Sequence, residues 1–298
     1  MRPGSRGEPE PEGTSHLDRR AFLTRAAGAV AGLAGLGALA ACTNGGTQAI
    51  TEPVRATQPI TLPPTTTTTL PPTTTTTLPA RLTQPLPPLI RIGPADRANV
   101  AVTIDDVFGP GGADQLHGAL DLARDRNVKL TVFPTGGGIE AHTGAGKGDV
   151  WKRVVAEGHE IGNHTYTHRS LTSLPDQEIR DELNWTQKLL TDAMGGVEYK
   201  LRLMRPPGGA GGTTPAGDPR LMGILHELGY SMVMWSIDSA YTAGSDSYLN
   251  KIMGSVRNGS IILLHFQTFG LSSLASLLTR LPAERGLTPV TVTDLVKP

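Results

Sequence analysis

Short runs of β-branched and aliphatic residues recur along the second two thirds of the chain, separated by stretches in which apolar positions return every three or four residues. The runs that predict strands are Val100 to Ile104, Lys129 to Phe133, Glu160 to Asn163, Leu201 to Met204, Ser231 to Ile237, Ser260 to Leu264 and Val290 to Val292. The clearest helix spans Pro175 to Met194. Ile179, Leu183, Thr186, Leu190 and Met194 share one face there, Asp176 and Glu178 occupy a first turn where acids suit the helix dipole, and Gly195-Gly196 ends it. Strands alternating with helices imply βαβ crossovers and a parallel α/β sheet, and seven such units suggest a barrel.

Polar residues mark one end of that barrel. Asp105-Asp106, His164, Arg205, Asp238 and His265 each follow a predicted strand, which in a (β/α) barrel places them on the rim where active sites are built. His164 and His168, four residues apart, read with the carboxylate pair as a metal site: two imidazoles and one carboxylate leave a coordination position for water or a substrate carbonyl. The chain's single cysteine, Cys42, excludes a thiolate cage. Other roles exist for the same residues. Adjacent aspartates suit a solvated turn near Gly109-Pro110, paired histidines cap or face solvent, Arg205-Pro206-Pro207 suits a kinked loop entry, and Asp238 with His265 suits a structural pair. His159 is expected to make a structural hydrogen bond, Trp151 and Trp185 to pack on helices, while His16, His117, His142 and His226 have no evident partner.

The N-terminal third is built differently. A polar stretch ends at Asp18-Arg19-Arg20-Ala21-Phe22-Leu23-Thr24, and an Ala/Gly-rich apolar run from Ala26 to Ala41 follows, short for a membrane span but suited to a signal-peptide core. Leu39-Ala40-Ala41-Cys42 closes it and resembles a bacterial lipobox. The Arg19-Arg20 pair resembles a twin-arginine export signal, against the alternative of a basic n-region of a general secretory signal. From residue 42 to about 90 the chain is Pro/Thr-rich and repeats itself, Leu62-Pro63-Pro64 and Leu70-Pro71-Pro72 each leading five threonines. Such a segment has no apolar face to bury and is expected to be an extended spacer reaching on the order of 100 Å. These features predict residues 1–41 as a signal, 42–90 as a linker and 91–298 as the catalytic domain, lipid-anchored through Cys42 on the extracytoplasmic face of a bacterial membrane. Acidic and basic residues balance at 27 each, and beyond the first 25 residues no Lys/Arg run suits a phosphate backbone, which argues against nucleic acid as a partner.

Five segments in order, Thr103-Ile104-Asp105-Asp106, His164-Thr165-Tyr166-Thr167-His168, Arg205-Pro206-Pro207-Gly208-Gly209, Trp235-Ser236-Ile237-Asp238 and Leu263-Leu264-His265, resemble the motifs of the polysaccharide deacetylase family, the NodB-homology domain of carbohydrate esterase family four. The resemblance implies a distorted (β/α)7-type barrel acting as a monomer. It implies that Asp106, His164 and His168 hold the metal, usually zinc, with cobalt or manganese as substitutes. Asp105 is then the general base beside the Arg205 guanidinium, and His265 the general acid oriented by Asp238. The Gly208 backbone and Leu263 lie on the oxyanion and substrate side.

Three features depart from the family pattern. Val107-Phe108 intervene between the aspartates and Gly109-Pro110; Tyr241 and Thr242 stand where the fourth motif continues with Asp and Trp; Gly208 replaces a common Tyr, and Phe266 follows His265 where Asp is common. Tyr166, Phe108 or Phe266 are the aromatics available to replace the lost wall. The implied activity is removal of N-acetyl groups from N-acetylglucosamine-type polysaccharide, peptidoglycan above all or a chitin-like polymer. An O-acetyl esterase of xylan or wall glycans and a non-catalytic wall-binding protein are the alternatives.

Overall fold

The computed structural model describes residues 85–238 and 245–298. The signal segment, Arg19-Arg20, Cys42, the spacer up to residue 84, and Tyr241 and Thr242 lie outside the described residues. The central strand is β2 (Asn99–Asp106), in which Val100, Ala101, Val102 and Ile104 are at most 1% exposed. Burial on both faces explains why this run is continuously apolar rather than alternating, as strands of covered parallel sheets are. β2 pairs in parallel with β3 (Thr131–Pro134) and β8 (Ile261–His265), and its first residues pair with β9 (Thr288–Val290). β4 (Glu160–Ile161) continues the sheet beyond β3, and β7 (Ile237–Asp238) continues it beyond β8. A second sheet has the order β1 (Leu89–Ile90), β6 (Ser231–Val233), β5 (Leu203–Met204).

Two seams join the sheets into a distorted barrel, and every pairing among the described strands is parallel. At one seam Asn163 bridges Met204: its N–H donates to the Leu203 carbonyl at 2.8 Å and its carbonyl accepts from Arg205 N at 2.9 Å. At the other, the run expected as one strand from Ser231 to Ile237 bends. Met234 N donates to Ile90 of one sheet and Ser236 N to Ile261 of the other, so residues 234–236 hand the chain across. The domain also starts before Arg91, because Leu89 and Ile90 pair with Met232 and Val233.

Helices cover the outside. They are α1 (Gly109–Asp125), α2 (Gly136–Gly144), α3 (Asp149–Ala156), α4 (Asp176–Ala193), α5 (Pro219–Leu228), α6 (Ser245–Ser255), α7 (Leu271–Arg285) and α8 (Val292–Val296). α4 buries Ile179, Leu183, Thr186 and Leu190 as the spacing predicted. Trp151 and Trp185 are packing residues, and the His159 Nδ1 accepts from Leu130 N at 2.9 Å.

The strand expected over Val290 to Val292 ends at Val290. Thr291 instead caps α8, accepting from Asp294 N at 3.1 Å, so a β-branched run switches to helix through local capping. The buried Glu160 carboxylate receives the N–H of Thr293 at 3.0 Å together with the Thr293 and Thr131 hydroxyls. Glu160→Ala would leave these donors buried without acceptors, and we expect a loss of about 2–3 kcal/mol in stability, read as a lower midpoint in denaturant unfolding.

Candidate active site

The rim residues of the sequence reading converge on one cavity of about 430 Å³, lined by Asp105, Asp106, His164, His168, Gly208, Asp238, Leu263 and His265 among others. They are closer to their strands than expected: Asp105 and Asp106 are the last two residues of β2, Asp238 ends β7 and His265 ends β8.

Arg205 lies beneath the cavity inside the barrel, fully buried. Its Nη1 donates to Asp105 Oδ1 at 2.7 Å and to Thr103 Oγ1 at 2.8 Å, Nε to the Val233 carbonyl at 3.2 Å, and Nη2 to the Met234 carbonyl at 3.1 Å. Its guanidinium carbon stands 4.3 Å from the Phe133 ring centroid. Gly162 makes that stacking possible, since a Cβ there would fall 2.3 Å from Phe133. Burial lowers the pKa of Arg205, and the negative charges of Asp105 and Asp238 oppose the shift.

Both aspartates line the cavity, but Asp105 binds Arg205 through Oδ1, whereas Asp106, with φ at 71°, brings its Oδ1 to both histidines. Asp106 Oδ1 lies 3.3 Å from His164 Nε2 and 3.1 Å from His168 Nε2, yet it is buried with no hydrogen-bond partner. One ligand atom from each of Asp106, His164 and His168 falls within 4.8 Å of the others, the one such triad of acidic, His or Cys residues found among the described residues. An orphaned carboxylate oxygen facing two imidazole nitrogens fits a divalent cation. The His164 Nδ1–H donates to the Arg205 carbonyl at 2.7 Å, which leaves Nε2 as the lone-pair atom aimed into the site.

The electrostatics follow. Burial acts to raise the Asp106 pKa, but the close approach and the charges of His164 and His168 outweigh it and hold the carboxyl far below the usual range. For His164, burial acts to lower the pKa, and Asp105, Asp106 and the Arg205 carbonyl together raise it. His265 Nε2 stands 4.0 Å from Asp106 Oδ2 on the other side of the cavity.

The ligand loop is held under strain. Asp106, Val107, Thr165 and His168 all have positive φ, between 50° and 71°, a region that β-branched residues such as Val107 and Thr165 rarely enter. Glu182 of α4, fully buried, ties this loop down. Its carboxylate accepts the N–H groups of Tyr166 at 2.8 Å and Thr167 at 2.7 Å, the Thr167 hydroxyl, and the Arg169 Nε and Nη2. Sequence reasoning passed over Glu182, although a carboxylate between Ile179 and Thr186 on an apolar face was a signal of a buried partner.

Of the three aromatics available for the cavity wall, Phe108 takes the place, joined by Trp235. Tyr166 is buried with its hydroxyl donating to Glu140, and Phe266 is buried in the core. Gly208, exposed at φ 61°, has open space where a Tyr side chain would begin. His142, without an evident partner in the sequence, is buried against Gly109 and stacks on Trp151.

A parallel barrel whose C-terminal rim carries an Asp-His-His triad, a guanidinium-held aspartate and a further histidine has the form of a (β/α) barrel with a candidate metal site on its rim. Residues 93–239 match the family described as polysaccharide deacetylase. The chain is 33% identical over 175 residues to a peptidoglycan-N-acetylglucosamine deacetylase of Bacillus cereus, an alignment covering 58% of each protein, so the chain spans less than two thirds of that relative's length. It is 31% identical over 180 residues to the chitooligosaccharide deacetylase of Rhizobium leguminosarum bv. trifolii, covering 60% of this chain and 75% of the relative. The crystal structure of the Bc1960 peptidoglycan N-acetylglucosamine deacetylase superposes with a TM-score of 0.59 at 28% identity, covering 70% of this chain and 92% of that one. The chain belongs to the polysaccharide deacetylase family.

The raised pKa of His164 carries a consequence for metal uptake. Burial acts to lower it, but Asp105, Asp106 and the Arg205 carbonyl raise it above the ordinary 6.5, so a cation at Nε2 competes with a proton that the site itself favours. The stabilising contribution of the protonated form is full below pH 6.5 and is lost as pH rises through the raised value. Cation affinity is therefore expected to increase with pH across neutrality. Calorimetry in two buffers of different ionisation enthalpy should detect proton release on ion binding that is larger at about pH 6 than at about pH 8, and no release at either pH would contradict the assignment.

Proposed function

We propose that the chain removes N-acetyl groups from an N-acetylglucosamine polymer of the cell wall, with zinc held by Asp106, His164 and His168. The observation that carries this reading is the joining, in one cavity, of the ligand triad with Asp105 on Arg205 and with His265. When bound, the ion supplies Lewis acidity to the acetyl carbonyl and lowers the pKa of water toward about 7.

The protein's own residues would do the rest. Asp105 keeps Oδ1 on Arg205, while Oδ2 lies 3.7 Å from His164 Nε2 and faces the site, where it takes the proton of the attacking water. His265 gives a proton to the amine nitrogen as the C–N bond breaks, releasing acetate and a free amino sugar. Asp238 faces Leu263 across β7 and β8, two residues from His265, the place from which its carboxylate orients the imidazole. The backbone at Gly208 turns toward the cavity at φ 61° and supplies the oxyanion side.

Acetate release from N-acetylglucosamine oligomers and purified peptidoglycan by the full chain, with zinc and after chelation, tests the reading. Release that disappears on chelation and returns with zinc is expected; none from a folded, zinc-loaded protein would redirect the reading to a wall-binding role. His265→Ala should lower amide cleavage by about 10²–10⁴-fold while sparing cleavage of an acetyl ester more, because an alkoxide leaves with less need of an acid than an amine does. Equal losses on both would count against that role.

The Ala26 to Ala41 run closed by Cys42, followed by the Pro/Thr-rich spacer, supports placement on the outer face of the membrane with reach into the wall. Cys42→Ser should move the protein from the membrane to the soluble fraction on cell fractionation; an unchanged distribution would rule out the anchor.

A further inference from the structure

We propose that Phe108 is a sugar-binding platform beside the metal ligands and sets affinity for the glycan chain; this rests on the N-deacetylase reading. Phe108 lies in the two-residue departure from the family pattern and is 44% exposed, whereas Tyr166 and Phe266 are buried and Trp235 is half-buried in the cavity wall. It leans toward the side of β4, where it meets the His168 ring edge to face with centroids 5.6 Å apart. Trp235 and Leu263 form the wall on the side of β7 and β8. The two sides thus divide the work. The far wall faces the acetyl group, and Phe108 stands where the sugar ring enters over His168.

The backbone holds Phe108 there. Asp106, Val107 and Gly109 all take positive φ, 71°, 50° and 62°. Val107 compensates by burying its side chain to 1% exposure, which anchors the turn on the core and leaves the next side chain pointing out. His142 Nε2 holds the Gly109 carbonyl at 2.8 Å from below. Gly138 and Gly112 let the loop sit close: a Cβ at Gly138 would fall 2.7 Å from the Val107 carbonyl oxygen, and one at Gly112 would fall 3.0 Å from it. The turn is therefore clamped on both sides while its aromatic ring remains in water, a placement that costs free energy until a ligand covers it. The ligand that matches is a β-linked pyranose, whose equatorial hydroxyls leave an apolar C–H face flat enough to lie on an aromatic ring, and whose acetamido group can reach the ligand triad.

The test compares the full chain, zinc-loaded, with Phe108→Ala and Phe108→Tyr. Calorimetry measures Kd for the glucosamine tetramer, which has no acetyl group to lose, and initial rates give KM and kcat for the N-acetylglucosamine tetramer. Covering on the order of 50 Å² of ring and sugar surface corresponds to about a tenfold effect. In Phe108→Ala both Kd and KM should rise by about that factor, kcat should change much less, and Phe108→Tyr should restore both constants. Kd and KM within twofold of the parent in Phe108→Ala, or a fall in kcat at constant KM, would overturn the platform. A parent that binds the tetramer but releases no acetate would overturn the N-deacetylase reading alone, with the Kd of the Ala variant still deciding the platform; a parent that neither binds nor turns over would overturn both.

Discussion

A guanidinium sealed inside the barrel organises this site. Arg205 has no solvent exposure, and its donors are spent on one carboxylate and one hydroxyl of β2 and two carbonyls at the end of β6. Burying a charge is unfavourable unless it is paired and fully hydrogen-bonded, and removing one partner of such a pair typically costs about 3–5 kcal/mol. The interaction is therefore structural and chemical together. It pins the end of β2, the chain after β5 and the corner at residues 233–234 to one point. Asp105 and Asp106 open onto the same cavity, and the ion pair to Arg205 is what distinguishes two chemically identical side chains.

Around that centre the backbone is bent where the metal ligands lie. Asp106 and His168 are both in the left-handed region, each next to or near a β-branched residue in the same state. Strain of this kind costs on the order of 1–3 kcal/mol per residue and persists only where surrounding contacts over-determine it. Those contacts are visible: Val107 is buried in the core, the Thr165 side-chain oxygen accepts from His168 N at 3.1 Å, and Glu182 takes up the neighbouring backbone donors. The triad is thereby set by the protein in advance of any ion.

Much of this was legible in the chain. Continuous apolar runs marked β2 and β8 because both faces of those strands are covered, and the polar residues closing them could be read directly as the rim. What escaped reading had physical causes. Leu89–Ile90 follow a proline-rich stretch and are too short for any periodicity, so β1 was assigned to the linker. Met234-Trp235-Ser236 continues the composition of a strand, yet its hydrogen bonds go to two different sheets, which no local pattern encodes. Thr291 looked like one more β-branched strand residue and is a helix cap. Glu182 was hidden by its own helix, where a single acid on an apolar face is easily taken as noise. The Phe108 turn announced itself only as a departure, and its exposure depends on glycines and a histidine 4 to 34 positions further along the chain.

The position of β2 also bears on how the molecule comes to exist. Ala101 pairs with Ile261, 160 residues later, and Asn99 with Thr288, 189 residues later. Contacts that distant are slow to form, since the entropy of closing so long a loop must be overcome before the pairing repays it. While the chain is being made, the longest of the described strands waits with an open edge, in the condition that favours pairing with a wrong partner. The centre of the barrel, second among its strands to be synthesised, is among the last parts to be completed, and the aspartates at its end have no finished cavity to line until the far end of the domain has arrived.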